Sequence, residues 1–356
     1  MTGQEGLANC AKGRTLGTVA PAPADHPRRG IVLGGGGVLG AAWMVGAMCA
    51  IEDAFGVDLR ECDNIVGTSA GSVMAALLAS GVTPDQIRRH QLGEPVDEGP
   101  LAGYWWDYDN ATGGSRPGVP SFGPGSTGLL RNLGRLRQMP PTAVLSAFLP
   151  EGKGSLARVG HLVEAVNPAG DWTSHPGTFI STMDYETGER VAFGTPGAPP
   201  ADLAEAVMAS CAIPAWFSPV VINGRRYVDG GTCSATSVDL LADLGLDEVF
   251  VVAPMVSFAL DQPSSLLTRL ERRWRVQVTK RCLTEAAKVH RSGTEVTILG
   301  PGPQDLEAMG ANLMDVSRRP LVVETSLRTS AEALSEPGNY SDDDSAVEQS
   351  QRLSVS

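Results

Sequence analysis

The hydrophobic positions of this chain form short apolar runs that end at glycine clusters and lead into apolar helical stretches. Residues 29–33 are mostly apolar and β-branched, which predicts a buried strand ended by the glycines at 34–37. Residues 41–55 then predict a mostly apolar helix. Gly56 is a suitable stop for that helix, because glycine tolerates the left-handed conformation of a helix end.

The same order of strand, glycine turn and helix occurs a second time. Residues 64–66 predict a short strand, residues 67–71 a glycine turn and residues 72–80 a helix. Two such units within about 50 residues are typical of an α/β fold with a mostly parallel central sheet. We therefore expect a three-layer α/β/α domain with additional C-terminal helices.

The later part of the chain continues this alternation. Further strands are predicted at residues 179–183, 190–193, 220–222, 225–228, 248–252 and 295–299. Further helices are predicted at about residues 129–150, 155–166, 201–211, 264–290 and 318–334.

The chain is expected to have three parts. Residues 1–28 are rich in Gly, Ala, Pro and charge and are predicted to be a flexible leader, and residues 29–334 are predicted to be one α/β domain. Residues 93–128 are dense in Gly and Pro and show no helix or strand period, which predicts a loop-rich insertion. The polar, acidic tail at residues 335–356 is predicted to be disordered.

Composition narrows the functional class. The formal net charge of −12 gives no general attraction for nucleic acid, so no nucleic-acid partner is expected. The most apolar run, residues 38–51, is shorter than the roughly 20 residues that span a bilayer, and the chain does not start with the apolar core of a signal peptide. We expect a soluble, cytoplasmic protein. The six cysteines lack C-x-x-C spacing, and we expect neither a metal nor a cofactor.

The turn at residues 67–71 (GTSAG) fits the G-x-S-x-G pattern of a nucleophile elbow. Such a turn holds its serine in a strained backbone conformation, and Gly67 and Gly71 are needed because larger side chains would collide. It also presents the serine hydroxyl at the positive end of the following helix. Ser69 is therefore the candidate nucleophile, and an ordinary glycine-rich turn is the alternative.

The cluster Gly34, Gly35, Gly36 and Gly37, together with Gly40, fits G-x-G-x-x-G. The exposed N–H groups of such a loop can bind the pyrophosphate of a dinucleotide or form an oxyanion hole, and a purely structural turn is the third interpretation. A dinucleotide site requires a carboxylate at the end of the second strand, where this chain has the GTSAG turn. The oxyanion hole is therefore favoured.

A serine nucleophile needs a base, and Asp229 is a better candidate than any histidine. Only His290 follows Asp229 in the order that α/β-hydrolases use, and it lies in a charged helical stretch. Asp229 directly follows a predicted strand and precedes Gly230 and Gly231, which allow another backbone to approach. A solvated aspartate has a pKa of about 3.9, so this residue serves as a base if it is desolvated and lies about 3 Å from the serine hydroxyl. The alternative is an ordinary Asp-Gly turn.

In this order the three motifs resemble the patatin-like phospholipase family of bacteria, over roughly residues 31–242. The run at 209–214 (ASCAIP) also resembles the segment before that family's aspartate. The resemblance implies a patatin-like fold in which Ser69 is the nucleophile and Asp229 the base. It further implies that Gly35, Gly36 and Gly37 form the oxyanion hole.

The function implied by the resemblance is that of a serine acyl hydrolase, a lipase, esterase or phospholipase A-like enzyme. It would cleave lipid acyl esters through a Ser-Asp dyad and an acyl-enzyme intermediate, without a cofactor. An acyltransferase with the same dyad and a catalytically silent binding or regulatory protein are the alternatives. Leu39 stands where the family usually has Arg or Lys, which favours a neutral ester, thioester or acyl-transfer substrate.

Two further segments bear on lipid contact. Tyr104, Trp105 and Trp106 either line an acyl-chain pocket, touch a membrane or pack within their loop. Residues 266–289 predict an amphipathic basic helix, which either lies on anionic lipid or docks on the domain with a solvated face. Peripheral membrane contact is therefore an expectation alongside the lipid or other acyl-ester substrate.

Overall fold

The computed structural model describes residues 26–106, 125–131, 141–259, 261, 263 and 265–335. Within these ranges the strands are β1 (Arg29–Leu33), β2 (Asn64–Thr68), β3 (Thr178–Asp184), β4 (Arg190–Phe193), β5 (Val220–Ile222), β6 (Arg225–Asp229), β7 (Glu248–Val252) and β8 (Glu295–Leu299). The α-helices are α1 (Gly37–Phe55), α2 (Ala70–Ala79), α3 (Pro84–Leu92), α4 (Thr127–Arg131), α5 (Pro141–Phe148), α6 (Ala157–Val166), α7 (Leu203–Cys211), α8 (Leu266–Arg291), α9 (Pro303–Met309) and α10 (Arg319–Ser335). The predicted leader up to residue 25, residues 107–124 of the predicted insertion and the tail beyond residue 335 lie outside the described residues.

The strands form one mixed sheet in the order β5-β6-β3-β2-β1-β7-β8, with β4 paired to β3. The five strands β3, β2, β1, β7 and β8 are parallel to one another. Strands β4, β5 and β6 add antiparallel pairs on the β3 side of the sheet. The predicted α/β fold with a mostly parallel central sheet is confirmed.

The sheet is covered by helices on both faces. Successive side chains of a strand point to opposite faces, and in β1 the neighbours Ile31 and Val32 belong to two different apolar clusters. The cluster around Ile31 includes side chains of α1, α2, α6, α7 and α10, whereas the cluster around Val32 includes side chains of α8. The three-layer α/β/α arrangement follows from this division.

Helix α1 is the central helix of the first of these layers. By length and composition it meets the criteria for a membrane span, with a mean hydropathy of 1.5 over 18 residues, but 61% of that window is buried within the protein. Its most extensive contact with another helix is with α10. In this protein the apolar side chains of α1 pack in the hydrophobic core.

Most element boundaries agree with those that the hydrophobic pattern predicts, and β1, β4, β5, β7 and β8 have the predicted limits. Helix α2 begins at Ala70 rather than at the predicted residue 72, so Ser69 is the N-cap residue of this helix. Helices α3 and α9 are additional to the prediction.

Strand β3 brings two distant strand ends together. Residues 178–181 of β3 pair with β2, and the next three residues, 182–184, pair with β6. Thr68, the last residue of β2, pairs with Ser181, and Asp229, the last residue of β6, pairs with Thr182. The residues that follow β2 and end β6 are therefore held side by side.

Candidate active site

Ser69 lies in the sharp turn between β2 and α2. Its backbone has φ 54 and ψ −125, in the region where non-glycine residues are strained. A methyl group at Gly71 would lie 1.9 Å from the carbonyl oxygen of Leu33, and one at Gly67 would lie 2.5 Å from the Cα of Ser72. The turn therefore packs so closely on its own helix and on β1 that only glycine fits on either side of the serine.

The backbone of Ser69 is held by polar contacts on both sides of its Cα. Its N–H donates to Ser210 Oγ at 2.8 Å, and that hydroxyl donates to the Ser181 carbonyl oxygen at 2.7 Å. Its carbonyl oxygen accepts from Ser72 Oγ at 2.6 Å and from Cys211 Sγ at 3.3 Å. Ser210 and Cys211 belong to the ASCAIP run, and these contacts give that run a structural role beside the turn.

The Ser69 hydroxyl donates to Asp229 Oδ2 at 2.6 Å, although the two residues are 160 positions apart in the chain. Both are nearly inaccessible, with 7% and 5% of their surfaces exposed. The other oxygen of the carboxylate, Oδ1, accepts the N–H of Gly231 at 2.7 Å. A methyl group at Gly230 would lie 2.3 Å from the Ser181 carbonyl oxygen, so this glycine allows the close passage beside β3.

Burial determines the proton affinity of Asp229. Desolvation raises the pKa of this carboxyl from 3.8 to about 6, against the opposing effects of the hydrogen bonds from Ser69 and Gly231. The carboxylate is therefore a stronger base than an exposed aspartate, while it is still ionised at neutral pH. A group with these properties in contact with a hydroxyl can accept the hydroxyl proton.

The glycine loop from Gly34 to Gly40 lies against the serine turn. A methyl group at Gly35 would lie 3.2 Å from Ser69 Cβ, and the ring of Pro254 packs on the loop from the other side, near Gly36 and Gly40. Gly37 has φ 63, which favours glycine at the first residue of α1. The structure therefore brings together all three motifs that the sequence singles out.

The amides of this loop differ in what they bind. The N–H of Gly35 donates to the Ala235 carbonyl oxygen at 2.8 Å, and the N–H of Gly34 to Val252 at 2.9 Å. Within the described chain, the N–H groups of Gly36 and Gly37 form no such bond. The Gly35 amide therefore holds the loop in this structure, and the role of Gly36 and Gly37 as oxyanion donors stays a prediction.

A buried carboxylate on α8 binds the residues on either side of Ala235, the acceptor of the Gly35 amide. Glu285 is 1% exposed, and its Oε2 accepts from Ser234 Oγ at 3.0 Å, Thr236 Oγ1 at 2.9 Å and Val238 N at 3.2 Å. These three donors surround Ala235 in the chain. The sequence pattern contains no signal for this contact, because Glu285 lies 50 residues after the loop that it binds.

Ser69 also lines an apolar pocket between α1, α2, α3 and α6. Including its open mouth, the pocket encloses about 830 Å³. Val38, Val73 and Leu77 are among its aliphatic side chains, and none of its described lining residues is Asp, Glu, Lys or Arg. Gly37 lines the same pocket, so the glycine loop and the serine share one cavity.

Three positions singled out by the sequence have different surroundings in this region. Trp106 lines the pocket, whereas Trp105 is 78% exposed. The side chain of Leu39 is fully buried in the core, so this position does not present a side chain to the pocket.

The polar lining of the pocket includes two residues of α3, His90 and Gln91. Burial lowers the pKa of His90, which favours its neutral form. Neither residue is among the sequence-predicted site residues. A Thr-Pro start followed by Gln86 three residues later is the capping signal that marks their helix in the sequence.

The described residues contain no group of three or more His, Cys, Asp or Glu side chains that could hold a metal ion. The loop that fits a dinucleotide pattern has a serine hydroxyl and a carboxylate beside it, and an apolar pocket in front of it. Bare amides beside a serine hydroxyl and a buried carboxylate are an arrangement suited to binding a developing oxyanion.

One family model matches the part of the chain that holds all three motifs. The family model described as patatin-like phospholipase matches residues 31–242. Among solved structures, the chain is similar to VipD from Legionella pneumophila, with 13% identity, a TM-score of 0.40 and coverage of 87% of this chain and 67% of VipD. It is also similar to the type III effector protein ExoU, with 17% identity, a TM-score of 0.32 and coverage of 86% of this chain and 53% of ExoU. The chain thus spans about half the length of ExoU. No curated protein matches the chain.

Proposed function

Because the chain belongs to the patatin-like phospholipase family, we propose that it is a serine acyl hydrolase that cleaves lipid acyl esters through Ser69 and Asp229. The observation that carries this proposal is the 2.6 Å hydrogen bond from Ser69 Oγ to Asp229 Oδ2, in contact with an apolar pocket. A buried carboxylate in that position can act as the base that a serine nucleophile requires.

In the acylation step, Asp229 accepts the proton of Ser69 Oγ while the oxygen attacks the acyl carbonyl carbon. The carbonyl π electrons move onto oxygen, and the N–H groups of Gly36 and Gly37 stabilise the resulting oxyanion. When the carbonyl re-forms, the ester C–O bond breaks and the leaving alkoxide takes the proton from Asp229. The acyl group is then bound to Ser69 as an ester.

In the deacylation step, water enters and gives a proton to Asp229 as its oxygen attacks the acyl-enzyme carbonyl. Collapse of the second oxyanion breaks the bond to Ser69 Oγ, which recovers the proton from Asp229. The products are a carboxylic acid and the free enzyme. Both halves use the same two side chains and the same two amides.

The pocket supports an acyl chain as the part of the substrate that binds beside Ser69. Its described lining carries no charged Asp, Glu, Lys or Arg side chain, and aliphatic residues of α2 continue along it from the serine for two helical turns. Burying a methylene group in such surroundings is favourable by about 0.8 kcal/mol. An ester of a fatty acid therefore gains binding energy there that a charged acyl group would not.

The proposal is tested with a fluorophosphonate probe, which labels activated serine nucleophiles covalently. We expect wild type to be labelled and Ser69→Ala to be unlabelled, with hydrolysis of p-nitrophenyl esters lost in the same variant. Ser326→Ala is the matched control, because Ser326 is a fully buried serine of α10 whose hydroxyl bonds to a carbonyl oxygen of its own helix. A folded wild type that is not labelled contradicts the proposed function.

A further inference from the structure

We propose that the outer face of the first half of α8 is a docking surface for an anionic lipid membrane. This outer face is defined by Leu266, Arg269, Leu270, Arg273 and Trp274. The choice of a lipid partner rests on the proposed function, because an enzyme that cleaves lipid esters has to reach its substrate at a bilayer surface. The surface itself is identified from exposure, charge and position.

The apolar part of this face is exposed to a degree that is unusual for such large side chains. Leu266 is 81% exposed, Leu270 64% and Trp274 44%. They are spaced four residues apart, so they form one continuous stripe along the helix. A solvated helix face normally carries polar residues at these positions, and contiguous exposed apolar residues mark interaction sites.

The charged part of the face is purely basic. Arg269 and Arg273, also four residues apart, form a row beside the apolar stripe, and both are exposed. Among the residues between 265 and 277 that the structure describes as exposed, none is acidic. Glu271 is only 14% exposed and is paired with Arg272 and Arg275. In a chain of net charge −12, a surface with only positive charge is complementary to anionic headgroups.

The face lies at the end of the sheet where Ser69 is found. Arg275, which follows Trp274 and has a fully buried side chain, donates to the Pro254 carbonyl oxygen at 2.5 Å. Pro254 in turn packs against the glycine loop, since a methyl group at Gly36 would lie 2.7 Å from its ring. Phe258, a further exposed aromatic residue, follows Pro254 in the loop that leads to α8.

The second half of α8 lacks such a stripe and serves as an internal comparison. Its exposed positions include Arg281, Thr284 and Lys288, all polar. Arg281 forms an ion pair with Glu285, and Lys288 Nζ lies 3.9 Å from Asp239 Oδ2. Lipid-binding character is therefore confined to the half of the helix near the active-site end of the sheet.

The test measures co-sedimentation of the full chain with vesicles of phosphatidylcholine alone and of an equimolar mixture with phosphatidylserine. We expect wild type to bind the anionic vesicles more tightly. The double variant Leu270→Ser/Trp274→Ser should lose binding to them by tenfold or more, because it removes the apolar anchor. Arg269→Gln/Arg273→Gln should lose the preference for phosphatidylserine and should retain the weak binding to phosphatidylcholine.

Leu321→Ser is the matched control, because Leu321 is 52% exposed on α10, outside the proposed surface. It should bind both kinds of vesicle as wild type does. All variants should hydrolyse a short-chain, water-soluble p-nitrophenyl ester at the wild-type rate, since none of the changed residues lines the pocket.

Three outcomes overturn the docking surface. In the first, wild type and Leu270→Ser/Trp274→Ser bind the vesicles equally, and in the second, Leu321→Ser loses as much vesicle binding as that double variant. In the third, wild type does not bind vesicles and the double variant converts a dimer to a monomer. Failure of the proposed function has a different signature. A wild type that binds anionic vesicles through this face, but does not hydrolyse the soluble ester, supports the docking surface and contradicts the hydrolase.

Discussion

Two strand-to-helix turns on neighbouring parallel strands meet at this site, and they differ in what they present. The turn from β1 to α1 consists of glycines and offers backbone amides without side chains. The turn from β2 to α2 offers one side chain, Ser69, on a backbone with φ 54. Both turns lie at the N-terminus of a helix, where the positive end of the helix dipole favours negative charge.

The difference between the turns shows how one structural unit can supply two kinds of chemistry. In the glycine turn, the absence of Cβ atoms leaves the amides of Gly36 and Gly37 open to the oxyanion proposed to bind there. In the serine turn, strain in the backbone directs Oγ towards Asp229, at 2.6 Å. Variants that alter one turn while leaving the other intact can separate these contributions.

The largest effect is expected from the base that serves the serine turn. In Asp229→Asn the side chain keeps its size but cannot accept the Ser69 proton, and we expect ester hydrolysis to fall by about 10²–10⁴-fold. In wild type, kcat/KM should rise with pH through about 6, because burial raises the pKa of Asp229 to that value and only the ionised form is a base. A pH profile of p-nitrophenyl ester hydrolysis, recorded for wild type and for Asp229→Asn, measures the loss of activity and the pH dependence. Full activity in the variant would exclude the dyad.

Asp229→Asn should lower activity but raise the stability of the folded protein. The pKa of Asp229 is about 6 in the folded protein, above the ordinary aspartate value of 3.8, so the folded state binds the proton more tightly than the unfolded state. The contribution of this group is therefore fully favourable below pH 4 and is lost as pH rises through 6. Asp229→Asn should be more stable than wild type by roughly 1–3 kcal/mol at pH 8, and the gain should shrink towards pH 4. Denaturant unfolding at the two pH values measures this difference.

An intermediate effect is expected in the glycine turn. Gly37→Ala adds a methyl group 3.0 Å from the Leu313 carbonyl oxygen at φ 63, which should displace the amide proposed to bind the oxyanion. We expect kcat to fall by about 10–10²-fold with little change in KM, because the oxyanion exists only after attack, and loss of one donor costs up to about 10³-fold. Steady-state kinetics on a p-nitrophenyl ester measure the two constants separately.

Gly56→Ala is the matched control for this prediction. Gly56 ends the same helix at φ 62, and a methyl group there would meet nothing within 4 Å. Both substitutions should cost about 1–2 kcal/mol of stability from the left-handed backbone, but only Gly37→Ala should lower kcat. Equal kinetic losses in the two variants would assign the effect to general destabilisation.

The local parts of both turns can be predicted from the sequence because their signals are local. A buried strand needs only a short apolar run, and the limits of β1 and β7 agree with the pattern. The GTSAG turn needs small residues at fixed offsets from Ser69. Helix α3 is absent from the prediction although Thr83 and Gln86 form a capping box, because its sequence is polar and lacks an apolar stripe strong enough to suggest a helix.

The contacts that join the turns cannot be predicted from local patterns. Asp229 reaches Ser69 because β2 and β6 end at adjacent residues of β3, which is a property of strand order and register. The sequence predicts the Gly35 amide in the oxyanion hole, but that amide bonds to Ala235, which is 200 positions later in the chain. Bare amides look identical in a sequence, and only the fold decides which of them is already used.

The smallest effect is expected from Glu285, which supports the glycine turn from a distance. Glu285→Gln keeps the size of the side chain and one acceptor oxygen but removes the negative charge, so the hydrogen bonds from the hydroxyls of Ser234 and Thr236 weaken. The Ala235 carbonyl between them should shift and loosen its bond to Gly35, which lies beside Ser69. Since this shift changes the geometry of the proposed oxyanion site, kcat should fall by about two- to tenfold. KM and the rise of kcat/KM with pH near 6 should stay unchanged.

Arg281→Met is the control for this prediction, because Arg281 contacts only the other oxygen of Glu285 from a half-exposed position. This variant should retain wild-type kcat. A loss of kcat in Arg281→Met as large as in Glu285→Gln would show that the ion pair, and not the buried acceptor, holds the glycine turn.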